Sequence, residues 1–276
     1  MFRFIVLILL LSGILNANIT HEKVQNILGD VEYNKHYKLI NILFNSPDNF
    51  KGFYGVNYEK LLGVLKDNGL LKLKYDKPKE LNVEFIFSSG AIKSLKILNK
   101  TLKSLGYYYY FTKKATRLDN GAFLWTIKLQ VENVIDPLIL IKELKKKEIF
   151  VSNIVKEDET HWIYSLDTAN SKISKVIQID ANEQITLQKP LKNYFLKVNN
   201  VDGLKVVSQS SNRWYPYIVF YDIDLNVLKV IKEKKVYKGI QAPIPNNTQY
   251  IKIGDMYNLI NIKRGLSIIV QSSQGE

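Results

Sequence analysis

The sequence predicts an α+β N-terminal half, a βαββαββ split sandwich preceded by short helices, followed by an all-β jelly-roll sandwich. Three observations carry this. Between Leu81 and Leu166 the apolar spacing alternates between period two and a three-to-four period. From Ile177 to Gln271 only short period-two segments recur, separated by turn residues. Between the two halves lies DTANSKISK, polar, small and aperiodic. The expected divisions are a signal peptide over 1–17, a helical segment over 18–76, the βαββαββ domain over 77–168 and the β-sandwich over 175–273.

The elements follow in order. Arg3, the apolar run Phe4 to Leu11 with Ile14-Leu15, and Asn16-Ala17 have the plan of a cleavable export leader. About a dozen apolar residues fall short of the roughly 20 that a spanning helix needs, so no transmembrane span is expected after cleavage. His21 to Leu28 and Asn34 to Phe44 read as helices parted by Gly29-Asp30, with Ser46-Pro47-Asp48 ending the second. Asn57 caps a third, with Leu61, Leu62 and Leu65 inward and Asn68-Gly69 at its end. Leu71, Leu73 and Tyr75 alternate before Asp76-Lys77-Pro78-Lys79 breaks the pattern.

Val83, Phe85 and Phe87 then share one strand face. Ile92, Leu95, Leu98, Leu102 and Leu105 mark a helix with Lys93, Lys96, Lys100 and Lys103 opposite and Gly106 at its end. Strands over Tyr107–Lys113 and Ala122–Glu132 join through Asn120-Gly121, a hairpin signal. Alternation along the first would turn Tyr107, Tyr109 and Phe111 into the core and Tyr108 and Tyr110 outward. Asp136-Pro137 opens a further helix, and Ile149–Val155 with His161–Leu166 reads as a closing hairpin. Beyond the linker, VIQID, QITLQ, YFLKV, LKVVSQ, YIVFYD, VLKVIK, YKGIQA, YIKIGD and LSIIVQ call for a sandwich.

Composition narrows the function. The chain has no cysteine, which removes disulfides, thiol catalysis and thiolate metal sites. Its net charge of +13 comes mostly from lysine and reads first as a compositional bias that gives a solvated lysine surface. The functional alternative is attraction to anionic envelope material rather than nucleic acid, given the leader. No GxSxG, SxxK, HExxH or glycine-rich phosphate loop occurs, and His21, His36 and His161 share no ligand spacing. No enzyme and no cofactor are therefore expected. Asp222, Asp224, Asn226 and Glu233 hold calcium-loop positions, but Val227 stands where the turn needs glycine. Exposed aromatics are the binding candidates: Tyr108 and Tyr110 in the first half, and Tyr215, Tyr217 and Trp214 beside Arg213 in the second.

Several resemblances extend this reading. Phe220, Tyr221, Asp222 and Asp224, then Pro245, Asn247, Tyr250, Ile251 and Ile253, resemble the jelly-roll modules of carbohydrate-binding type. That implies the sandwich fold more directly than a sugar. The helix, NGLLKLKYD and LNVEFIF look like the small α/β modules of secretins and other ring-forming envelope proteins. The βαββαβ order resembles the SPOR modules that bind septal peptidoglycan, without their opening glutamine or their glycine-phenylalanine pattern. The whole chain looks like a periplasmic accessory component of an epsilon-type bacterial flagellar motor. These resemblances imply a non-enzymatic periplasmic scaffold or adaptor whose partners are envelope proteins, with peptidoglycan or another glycan as the alternative.

Overall fold

A computed structural model describes residues 19–173 and 176–272; the leader expected over 1–17 lies outside them. The chain divides into two units, Met1–Lys172 and Ile173–Glu276. No helix among the described residues is long and apolar enough to cross a membrane.

Among the described residues the first unit begins with three short helices, α1 over 19–28, α2 (Asp30–Lys35) and α3 (Tyr37–Leu43). The expected two helices are three because the chain breaks at His36 as well as at Gly29, which takes a φ of 79°. A 3₁₀ turn (Pro47–Phe50) leads into a hairpin of β1 (Lys51–Gly52) and β2 (Gly55–Val56), then α4 (Tyr58–Asp67). Asn57 caps α4 by accepting from the Lys60 amide at 3.1 Å, and Leu61, Leu62 and Leu65 are buried.

Next come β3 (Lys74–Phe87), α5 (Ala91–Ser104), β4 (Phe111–Arg117), β5 (Phe123–Asn133), α6 (Pro137–Lys145), β6 (Phe150–Asp158) and β7 (His161–Asp167). Their sheet runs β4-β5-β3-β7-β6. It is mixed rather than antiparallel, because β3 and β7 pair in parallel. Strand β3 also runs through Pro78. The ladder to β5 slips between Lys74 and Lys79, so a bulge absorbs the residue that has no N–H to donate. The break expected near residue 76 is therefore a bulge within one strand.

Two further expectations are corrected here. On α5 the buried stripe is Ser94, Ile97, Leu98, Thr101 and Leu102, with Ile92 52% exposed and Lys93 buried. That stripe keeps helical spacing through two small polar residues, which an apolar count passes over. The strand expected from Tyr107 starts at Phe111 instead. The Tyr107 amide closes α5 onto the Leu102 carbonyl and the Tyr108 amide bonds Gly106, so neither is free for a ladder. Asp136 does cap α6, accepting from the Leu138 and Ile139 amides at 2.9 and 3.2 Å.

Among its described residues the second unit holds nine strands: β8 (Ile177–Gln178), β9 (Gln184–Leu187), β10 (Tyr194–Lys197), β11 (Gly203–Ser208), β12 (Pro216–Tyr221), β13 (Val227–Lys232), β14 (Gly239–Pro243), β15 (Tyr250–Asp255) and β16 (Leu266–Gln271). They form two sheets, β13-β12-β15-β10-β8 and β14-β11-β16-β9. Leu196, Ile218, Phe220, Ile251 and Ile253 from the first and Leu204, Val206, Ile268 and Val270 from the second belong to one core. A methyl group at Gly265 would come within 1.8 Å of the Leu187 carbonyl oxygen, so only glycine fits there.

Candidate functional site

In the first unit, the sequence Gly52-Phe53-Tyr54-Gly55 builds a tight hairpin whose two tip residues are aromatic. A Cβ at Gly52 would stand 2.7 Å from the backbone of Val56 and Asn57, and Gly55 takes a φ of 86°. The base is fixed where the Asn57 amide donates to the Phe50 carbonyl at 2.7 Å, while Phe50 packs on Phe44. At the tip Phe53 is 93% exposed and meets Tyr54 edge to face.

The hairpin forms one wall of a cleft of about 510 Å³. Its floor includes the buried side chains Val56, Tyr58, Ile141, Ile149 and Val151, and Phe150 stands half-exposed at the rim. Several polar groups around it are matched by neighbours. The Tyr54 hydroxyl donates to the Asp167 carboxylate, whose other oxygen accepts from the Ala169 amide at 3.0 Å. Burial and that carboxylate push the Tyr54 hydroxyl up to about 12. The Tyr58 hydroxyl donates to Asn153 at 3.0 Å, and Lys145 pairs with Glu59 at 2.9 Å. Each Asp167 oxygen thus accepts one hydrogen bond. Such a cleft can seat an apolar group. Beside it along α6 a second depression, about 420 Å³, is lined by Glu59, Ile139, Lys142, Glu143, Lys145 and Lys146.

The residues singled out by sequence fare unevenly. Tyr108 is exposed, as expected, together with Tyr109 at 92% and Phe111 at 77%, which were expected in the core. Tyr110 is half-buried and packs edge-on against Trp125 at 5.8 Å. Trp214 is fully buried, donating its indole N–H to the Gly254 carbonyl at 2.8 Å, so it is a core residue and touches no ligand. Arg213 is exposed beside Tyr215, and Tyr215 meets Tyr257 edge-on at 4.9 Å. Tyr217 is half-buried with the ammonium groups of Lys252 and Lys232 at 4.7 and 5.7 Å from its ring centre.

The calcium-loop residues are not gathered. Asp222 caps its own turn, accepting from the Asp224 and Asn226 amides at 2.9 and 2.8 Å, while Glu233, beyond the far end of β13, accepts from the Tyr237 hydroxyl. Among the described residues no group of three or more His, Asp or Glu side chains is placed to hold a metal ion. Sequence reading passed over Phe53 and Tyr54, although two glycines bracketing two aromatics were a visible signal. It also passed over Phe195, and named Tyr221 and Tyr250 only within the jelly-roll resemblance, although the three gather from three strands: Phe195 stacks on Tyr250 at 5.4 Å and meets Tyr221 at 6.0 Å.

No family model matches the chain, and no curated protein matches it. Among solved structures, one titled "Structure of infectious bursal disease virus Gx strain" aligns at 14% identity over 72% of this chain and 48% of that one, with a TM-score of 0.14. The chain thus spans about half the length of that structure.

Proposed function

We propose that the protein is a non-catalytic adaptor of a larger cell-envelope assembly, and that the cleft beside the 52–55 hairpin seats an apolar side chain of a protein partner. One observation carries this reading: a glycine-locked hairpin holds Phe53 almost wholly in water at the edge of an apolar cleft. An aromatic side chain beside a pocket is the usual form of an interface anchor. The envelope setting rests on the export leader expected over 1–17, and a flagellar motor is the assembly to test first. A photo-crosslinking residue at position 53 of the full chain, in living cells, should capture a partner in fixed ratio, whereas the same residue at Asp119 should not. Equal products from both positions would sink the reading.

A second reading, glycan binding by the β-sandwich, is favoured by the half-buried rings Phe195, Tyr217 and Tyr221 along one sheet, with Tyr250 buried among them. The stretch from Tyr215 to Asp255 looks, in sequence, like part of the jelly-roll modules of carbohydrate-binding type. Co-sedimentation of the full chain with isolated sacculi at low salt tests it, and a chain left wholly in the supernatant counts against it.

A further inference from the structure

The five-stranded sheet of the second unit has one face turned to the core and one turned away. Along β12, Ile218 and Phe220 belong to the core, which leaves Tyr217, Val219 and Tyr221 on the other face. Register fixes their neighbours. Lys232 lies opposite Tyr217, Lys252 lies opposite both Val219 and Phe195, and Lys197 lies opposite Tyr250. Aromatic rings and ammonium groups therefore alternate across four strands.

Packing does not account for the cations. Lys232 and Lys252 both lie within 6 Å of one ring centre, and the ring offsets little of their mutual repulsion, since an exposed cation–π contact is worth about 0.5–1 kcal/mol. The ion pairs from Lys23–Glu22 to Lys172–Glu148 all lie in the first unit, and none involves Lys197, Lys232 or Lys252. Three nearby carboxylates are committed elsewhere. Asp222 holds its own turn, Glu233 takes the Tyr237 hydroxyl, and Asp255 accepts from the Tyr215, Tyr257 and Asn258 amides. Asp224 lies near Tyr250 and, after burial, helps to raise its hydroxyl, but forms no ion pair with the three lysines. Cations without an internal anion, set among half-buried rings on an extended face, suit a chain of sugar rings that carries its own negative charge.

We propose that this face binds an acidic polysaccharide, its sugar rings against Phe195, Tyr217 and Tyr221 and its carboxylates against Lys197, Lys232 and Lys252. The proposal rests on the glycan reading and narrows it to charged polymers. Sugar rings stack on aromatic faces, and charge-assisted bonds to the lysines select the anionic polymer over a neutral one.

The test is affinity electrophoresis of the full chain in gels containing polygalacturonate, neutral dextran or polyglutamate. Retardation by polygalacturonate is expected, weaker at high salt and reduced about three- to fivefold by either Lys232→Gln or Lys252→Gln. Both lysines project from strand surfaces, so these variants keep the fold; Tyr217→Leu, which keeps bulk without the ring, should weaken binding as well. Polyglutamate retarding the chain as strongly as polygalacturonate would overturn the proposal by reducing it to charge. Dextran retarding it equally, with no effect of the lysine variants, would overturn the acidic specificity and leave the glycan reading standing. No retardation by either sugar polymer would remove both.

Discussion

In the first unit lysines are answered by carboxylates from distant elements: Lys66 reaches Asp136 at 2.6 Å, Lys72 reaches Glu32 at 2.9 Å and Lys145 reaches Glu59 at 2.9 Å. In the second, Lys232 and Lys252 rest against the ring of Tyr217 instead. The same lysine-rich composition serves two ends. Helix surfaces in the first unit bring charged residues far apart in sequence within reach, and each exposed pair adds at most about 1 kcal/mol. Strands in the second fix Lys197, Lys232 and Lys252 at alternate positions beside rings, and none of the three is in an ion pair. A lysine's meaning is thus set by its neighbours in the sheet or helix, and counting charge along the chain cannot assign it.

The largest test of this contrast is Trp214→Ala. Removing a fully buried indole with its 2.8 Å bond to Gly254 should cost about 3–5 kcal/mol. Hydrogen exchange should then show lost protection at Ile218, Ile253 and Ile268, while Val83 and Phe85 keep theirs. Equal loss in both units would break the view that each has its own core. Gly52→Ala comes next, at about 2 kcal/mol, because the added methyl meets the Val56 and Asn57 backbone. It should abolish crosslinking from position 53 and leave polygalacturonate binding untouched.

Asp136→Ala should cost about 1–2 kcal/mol in a chemical melt, since one residue caps α6 and pairs with Lys66. Lys66→Ala, which removes the pair alone, should cost less. Acidification should give the smallest effect. The Thr160 amide bonded to Asp158 and the Lys72 ammonium bonded to Glu32 hold both carboxyls below the ordinary carboxylate range. Their folded-state values are depressed, so their contribution is present at neutral pH and fades as the pH drops below about 4. Exchange protection in β6 and in α2 should fall together there, and protection that persists to pH 2 would show that these pairs contribute nothing.

Much of this architecture could be read along the chain. The nine strands of the second unit all occur where period-two segments stand, and both Asx caps at Asn57 and Asp136 form as their positions imply. What escaped depends on pairing. Trp214 lies in a tryptophan-tyrosine run that looks like an exposed loop, and only the neighbouring Gly254 carbonyl makes it a core residue. Tyr109 and Phe111 looked inward because alternation was counted from Tyr107, where the amides still serve the end of α5. The rings at Phe195, Tyr221 and Tyr250 lie on three strands, and no spacing within one strand brings them together.

One feature of the sheets bears on how the protein is made. In chain order β7 is the last strand of the first unit and β16 the last of the second, yet each occupies an interior place, between β3 and β6 and between β11 and β9. Neither sheet can close until its final strand has emerged, and the pairing of Asn82 with His161 must wait for everything between them. A growing chain thus carries unpaired interior edges through most of its synthesis, which slows folding and exposes it to aggregation. Stalled chains that lack β16 should accordingly be cleared by proteases while those that include it survive.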